Sequence, residues 1–252
     1  MQLTTAYFSP TGTTAAVSRA IARGFYMESR EVDLSASVSE AALGSDAVLL
    51  AAAPVYGGRV PAVAVERLSA LKGDGAMAVA VVVYGNRDYD DALLEWKNAL
   101  EQNGFRVVAA AAFIAEHSIV RSIAAGRPDE NDLRTAERFG ASVAEKIVKP
   151  LSEQASVQVP GKAAYKDYKG LPFHPKADKH CTKCGACAKA CPVGAIPPEA
   201  PALTSESKCI TCMRCVAVCP MKARGLPAPA LLGAKAMLMA SAKELKQPAI
   251  FL

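Results

Sequence analysis

Apolar positions in the first 150 residues fall into runs that alternate with helical stripes. LTTAYF (3–8), SDAVLLAAAPV (45–55), GAMAVAVVVYG (75–85) and FRVVAAAAFIAEHS (105–118) read as strands, and SREVDLS (29–35) as another. Runs rich in alanine and β-branched residues, without strict alternation, predict strands covered on both faces. Thr13 to Tyr26 predicts a helix with Ala16, Val17, Ala20 and Ile21 on one face. Further helices are predicted for Pro61 to Leu71, Asp90 to Asn103 (stopped by Gly104) and Glu130 to Lys149. Five strands with intervening helices predict an α/β fold, a doubly wound five-stranded parallel sheet over residues 1–150.

The periodicity then stops. A linker is expected over 151–175, a small cysteine-rich domain over 176–225, and a helical tail over 226–252. The chain is 51% hydrophobic, but no apolar stretch approaches the roughly 18 residues of a membrane span; Lys235, Lys243, Glu244 and Lys246 interrupt the tail. The opening MQLTTAYF lacks a basic segment and leads into a patterned strand, so a cytoplasmic setting with reduced thiols is expected. Charge is segregated. Residues 1–150 carry 15 basic and 18 acidic side chains, a net of −3. Residues 160–225 carry 11 and 4, a net of +7. There is no basic stripe interleaved with aromatics, so nucleic acid is not expected as a partner.

All eight cysteines lie in two matched runs, CTKCGACAKACP (181–192) and CITCMRCVAVCP (209–220). Disulfides fit a reducing compartment poorly, and zinc sites more often pair two separated C-x2-C knuckles. C-x2-C-x2-C-x3-C-P is the bacterial ferredoxin pattern, in which the fourth cysteine ligates the other cluster. Its two-residue gaps let a tight loop present three thiolates, while the longer gap and proline turn the fourth away. One [4Fe–4S] cluster is therefore assigned to Cys181, Cys184, Cys187 and Cys219, the other to Cys209, Cys212, Cys215 and Cys191. Two oxidised clusters with eight thiolates bring a charge of about −4, which offsets much of the lysine excess. A purely structural use of the clusters is the alternative.

Ligands of open parallel sheets bind beyond the carboxyl ends of the strands. The loop after the first strand, SPTGTT (Ser9, Pro10, Thr11, Gly12, Thr13, Thr14), has neither a P-loop ending nor a dinucleotide fingerprint. Its hydroxyls and glycine at a helix start suit a phosphate monoester, although an ordinary helix cap would look alike. Pro54, Val55, Tyr56, Gly57 and Gly58 form a second loop. Tyr84, Gly85, Asn86, Arg87, Tyr89 and Asp90 form a third. Both offer aromatic faces and open backbone to a flat ring. His117 follows the fifth strand, where it could face the edge of that ring or a substrate, but a lone histidine there reads first as a polar loop residue; His174 and His180 are read as neighbours of the first cysteine run, and Trp96 as core. VRSIAAGRPDEN (120–131) is read as a loop that could cover the ring or contact the cysteine-rich domain.

SPTGTT, PVYGGRVP and YGNRDYDDAL resemble the three FMN loops of flavodoxins, and the cysteine runs resemble a two-cluster bacterial ferredoxin. In this order they resemble fused flavodoxin–ferredoxin proteins, the EFR-type ferrodoxin family. The resemblance implies a flavodoxin-like domain followed by a small α+β ferredoxin domain. It implies that Ser9 to Thr14 hold the FMN phosphate, and that Pro54 to Gly58, Tyr84 to Arg87, Tyr89 and Asp90 surround the isoalloxazine. It further implies electron transfer between FMN and two [4Fe–4S] clusters, and on to a redox partner protein or small-molecule acceptor. Flavodoxins that act as free carriers are strongly acidic, and this domain is not. A flavin-dependent reductase and a redox-sensing or assembly subunit are the rival readings.

Overall fold

The computed structural model describes residues 1–149, 157–242 and 244–252. Five strands, β1 (Gln2–Tyr7), β2 (Ser29–Asp33), β4 (Ala47–Pro54), β6 (Met77–Tyr84) and β7 (Arg106–Ile114), pair in parallel in the order β2-β1-β4-β6-β7. Counted along the five parallel strands this is the flavodoxin-like order 2-1-3-4-5. The sheet nevertheless has six strands. β10 (Ala249–Phe251), from the tail expected to be helical, pairs antiparallel with β7, Ala249 opposite Ala112 and Phe251 opposite Ala110. It occupies the edge that a five-stranded sheet would leave open. A second small sheet, β3 (Ala41–Leu43) with β5 (Leu71–Gly73), has no counterpart in the predicted pattern.

The apolar runs are continuous because the sheet is covered twice. Helices α1 (Thr13–Gly24) and α4 (Glu130–Ile147) cover one face, packing Val17, Ile21, Phe139 and Val143 on Leu3, Val48, Leu50, Val79 and Val81. Helices α2 (Ala62–Leu68) and α3 (Ala92–Gln102) cover the other, packing Leu68, Leu93, Trp96 and Leu100 on Ala6, Leu49, Ala51 and Val82. Neighbours such as Val48, Leu49 and Leu50 thus alternate between two cores. Trp96 is fully buried, and its indole N–H donates to the Ala51 carbonyl at 2.9 Å.

Residues 151–156 of the expected linker lie outside the described residues; the stretch after them packs against the sheet domain. Val157 is buried in the α2–α3 core. Asp91 accepts the Lys162 and Lys166 amides at 2.9 and 2.7 Å, Asn98 donates to the Tyr165 hydroxyl at 2.7 Å, and Arg59 donates to the Lys166 carbonyl at 2.8 Å.

The cysteine-rich segment holds a two-stranded ladder, β8 (Lys176–Ala177) with β9 (Arg224–Gly225), and two one-turn helices, α5 (Ala186–Lys189) and α6 (Arg214–Ala217). It meets the sheet domain through Arg67, which donates to the Pro192 carbonyl at 2.5 Å, and Arg214, which donates to the Ser9 carbonyl at 3.3 Å. Helix α7 (Ala228–Ser241) then crosses back and is followed by β10. No helix among the described residues is long and apolar enough to cross a membrane.

Candidate cofactor cavity and cysteine cages

β1 is flanked by β2 on one side and β4 on the other, so the sheet has its topological switch point at its carboxyl end. The loop there is pinned by Ser9, whose hydroxyl accepts the Ala15 amide and whose amide donates to Ser35 Oγ, both at 3.0 Å. Gly12 caps α1 with φ 93, a left-handed value that suits glycine, and itself offers no side-chain cap, so Ser9 reaches the Ala15 amide from outside the helix. The Thr13 and Thr14 amides have no acceptor among the described residues. Free N–H groups at the positive end of a helix dipole form an anion cradle.

That cradle opens into a cavity of about 690 Å³. Pro10, Thr11, Thr13 and Thr14 line one end, and Pro54, Val55, Tyr56, Gly57, Gly58, Tyr84, Gly85 and Arg87 line the sides. Gly58 has φ 92, and a Cβ there would lie 2.1 Å from Asp90 Oδ2. Burial pushes the Tyr84 hydroxyl up to about 12, with Asp88 and Tyr89 adding to it. Burial also pushes Tyr56 well above its ordinary value, and Cys212 is close enough to add to the effect. Tyr56 itself is half-buried and lines the cavity.

Five residues expected at the flavin do not line this cavity: Ser9, Gly12, Asn86, Tyr89 and Asp90. Ser9 and Gly12 shape the loop from behind. Tyr89 packs edge-on against Tyr84, ring centres 5.4 Å apart. Asp90 is paired with Arg87 and with Lys166 at 3.0 Å. Asn86, 1% exposed, faces the tail, donating to the Ala242 and Glu244 carbonyls and accepting from the Lys246 amide.

His117 lines the cavity too, the lesser of the two readings its place after the fifth strand allowed, and packs on Gly85, where a Cβ would lie 2.5 Å from its Cδ2. Its Nδ1 accepts the Ile119 and Val120 amides at 3.2 and 3.1 Å, so the neutral ring carries its proton on Nε2. Desolvation lowers its pKa to about 4. The roof comes from far along the chain: Tyr168 and Phe173, then Ile210 and Thr211, then Ala230, Ala234 and Met237 of α7. Val120 and Ile123, in the stretch read as a loop, anchor α7 through Ala234.

The two cysteine runs share one backbone. Lys183 and Gly185 in the first, and Thr211 and Met213 at the matching places in the second, all have positive φ. These turns wrap the chain around the sulfurs. The Ala195 amide donates to Cys191 Sγ at 3.2 Å, and the Ala223 amide to Cys219 Sγ at 3.3 Å. One small cavity is lined by Cys181, Cys184, Cys187 and Cys219, the other by Cys191, Cys209, Cys212 and Cys215. The fold thus brings each fourth cysteine to the other run's first three.

Both cages fit an iron–sulfur cluster on their own chemistry. In the second cage burial pushes the Cys212 thiol up to about 12 and raises Cys209 and Cys215, and a bound cationic cluster core would offset that cost for their thiolates. Arg224 is 4% exposed, lines the first cage, donates to the Pro201 carbonyl at 2.8 Å, and lies 3.6 Å from Cys187 Sγ; its Nε has no partner among the described residues. A buried cation with an orphaned donor calls for a nearby anion, and a cubane held by four thiolates carries about −2.

Residues 180–224 match the family model of a 4Fe–4S dicluster domain. No curated protein matches the chain. Solved structures similar to it include a flavodoxin from the domain Archaea, at 15% identity and TM-score 0.41, covering 59% of this chain and 100% of that one. Flavodoxin 2 from Bacillus cereus, oxidised, is 16% identical with TM-score 0.43, covering 58% and 99%. The Streptococcus pneumonia TIGR4 flavodoxin is 14% identical with TM-score 0.43, covering 58% and 99%. The chain therefore joins a parallel sheet of flavodoxin-like order to a segment similar to 4Fe–4S dicluster domains.

Proposed function

We propose that this chain is an electron-transfer protein that binds FMN in the large cavity and one [4Fe–4S] cluster in each cysteine cage. The observation that carries this reading is the sorting of eight cysteines into two four-cysteine cages beside a cavity that ends in free helix amides. Thr11, Thr13 and Thr14 would hold the phosphate, with Tyr56, Gly57, Gly58, Tyr84 and Gly85 around the ring. Bound FMN exchanges two electrons, singly or together, and each cluster exchanges one. The protein's part is to orient the ring, exclude water with Tyr168, Phe173 and α7, and keep Nε2–H of His117 as a neutral donor in the wall. Its redox partner is a protein or small-molecule acceptor, and its setting is the reducing cytoplasm.

His117 favours a second reading, in which a small acceptor is reduced in the same cavity. Turnover with candidate acceptors that depends on His117 would support it.

Anaerobic purification with flavin, iron and sulfide counts tests the first reading. The expected result is one FMN with about eight irons and eight sulfides per chain. Tightly bound zinc, or a colourless protein after reconstitution, would refute it. Thr13→Ala and Gly12→Val should each weaken FMN. Cys191→Ala should alter the spectrum of the cluster anchored by Cys209, Cys212 and Cys215, and leave that of the cluster anchored by Cys181 unchanged.

A further inference from the structure

The two cysteine runs are twins in spacing and backbone, yet the fold treats them differently. Ile210 lines both the large cavity and the cage of Cys191, Cys209, Cys212 and Cys215. Ile210 is therefore common to the walls of the two spaces. Thr211 lines the cavity as well. The twin positions in the first run, Thr182 and Lys183, line only their own cage and are exposed. Cys212 is 8% exposed, whereas its twin Cys184 is at the surface.

The rim around Cys184 has its own chemistry. Met221, half exposed, and Pro220 form a small apolar centre, flanked by exposed Lys183 and Lys222. Neither lysine has an ion-pair partner among the described residues. Two of the segment's carboxylates are engaged elsewhere, Asp178 with His180 and Glu206 with Lys176, both at 3.4 Å. A small apolar centre with a rim of one charge suits a brief encounter with a complementary protein.

We propose that the cage of Cys191, Cys209, Cys212 and Cys215 is the inner one, coupled to the flavin cavity across Ile210. The cage of Cys181, Cys184, Cys187 and Cys219 is the outer one, and its Cys184 edge docks a one-electron carrier protein with an acidic face. This rests on the cofactor reading above. A change at Ile210 is felt in both spaces; a change at Thr182 is felt in one cage alone.

The test uses the full chain, reconstituted anaerobically with iron, sulfide and FMN. Ile210→Ala should weaken FMN about fivefold or more by loss of wall contact, and move the flavin midpoint potential in an equilibrium titration. Thr182→Ala should change affinity less than about twofold and leave the potential in place, since it lines no part of the cavity. Binding to an immobilised small acidic ferredoxin is measured separately, across ionic strength. Lys183→Glu with Lys222→Glu should weaken it about tenfold at low salt and flatten its salt dependence. Arg30→Glu with Arg138→Glu, the same charge change on the sheet domain, should have little effect. Equal behaviour of the Ile210 and Thr182 variants overturns the order of the cages. Equal losses in the two charge-reversal proteins, or none in the lysine pair, overturn the docking surface. Failure of the unaltered protein to bind FMN or iron defeats the cofactor reading instead.

Discussion

At the scale of single residues, the burial of polar groups makes the sharpest claims. His117 keeps a depressed pKa, near 4, because its ring is enclosed and its Nδ1 already accepts two amides. The unfolded chain takes up this proton near the ordinary value of about 6.5, so between there and about 4 the unfolded state binds more protons. The stability linked to His117 is complete above that window and is lost as pH falls through it. His117→Gln keeps an acceptor but cannot titrate there, so its denaturation midpoint should fall less steeply with pH across the window. Asn86 makes a second claim. It occupies a left-handed backbone position and bonds the tail three times while 1% exposed. Asn86→Gly keeps the backbone conformation and loses those bonds. About 1–3 kcal/mol of stability should go with them, and limited proteolysis should cut faster after residue 226. An unchanged digestion rate would show that β10 holds the tail without Asn86.

Among elements, α1 and α4 meet backbone to backbone at two glycines. A Cβ on Gly140 would lie 2.0 Å from the Ile21 carbonyl oxygen, and one on Gly24 2.0 Å from that of Glu137. The two backbones touch, so neither helix can shift without disturbing the core beneath. Gly140→Ala should cost about 1–3 kcal/mol through overpacking, read as a lower urea midpoint. Gly233 in α7 is the contrast, since a methyl group there would meet nothing within 4 Å. There Gly→Ala should be neutral, or stabilising by up to about 1 kcal/mol through helix propensity. α7 also shows why some elements carry no periodic signal. It is apolar nearly all round, and only Ala234 is buried, where it packs with Val120 and Ile123.

For the whole molecule, the two halves are stabilised by different physics. The sheet domain has two large apolar cores, whereas the buried apolar cluster of the cysteine-rich segment is Cys187, Ile196 and Cys215. So few buried side chains cannot offset the entropy of ordering the segment, and bound metal must do so. Stripping iron with a chelator should therefore open residues 176–225 to protease. Trp96, the chain's one tryptophan, should stay buried with its emission unshifted. A red shift of Trp96 at the same chelator concentration would mean that the halves unfold together.

The sequence by itself determined whatever depends on near neighbours. Periodicity marked the five parallel strands and their helices, since a strand covered on both faces must be apolar throughout. Cysteine spacing marked the two cages, because a short loop dictates how sulfurs can face a cluster. The loops at the strand ends were legible too, down to Thr11, Thr13, Thr14, Tyr56 and Tyr84, which line the cavity. Tertiary structure decided what rests on contacts between distant segments. Asn86 looks like a cavity residue until the tail arrives to claim its side chain. AIF is too short to announce β10, and becomes a strand only because β7 offers an unpaired edge. The two cysteine runs are interchangeable on paper; packing of Ile210 against the sheet domain makes one inner and the other outer. Such contacts depend on which surfaces meet after long loops close, and no local pattern encodes that.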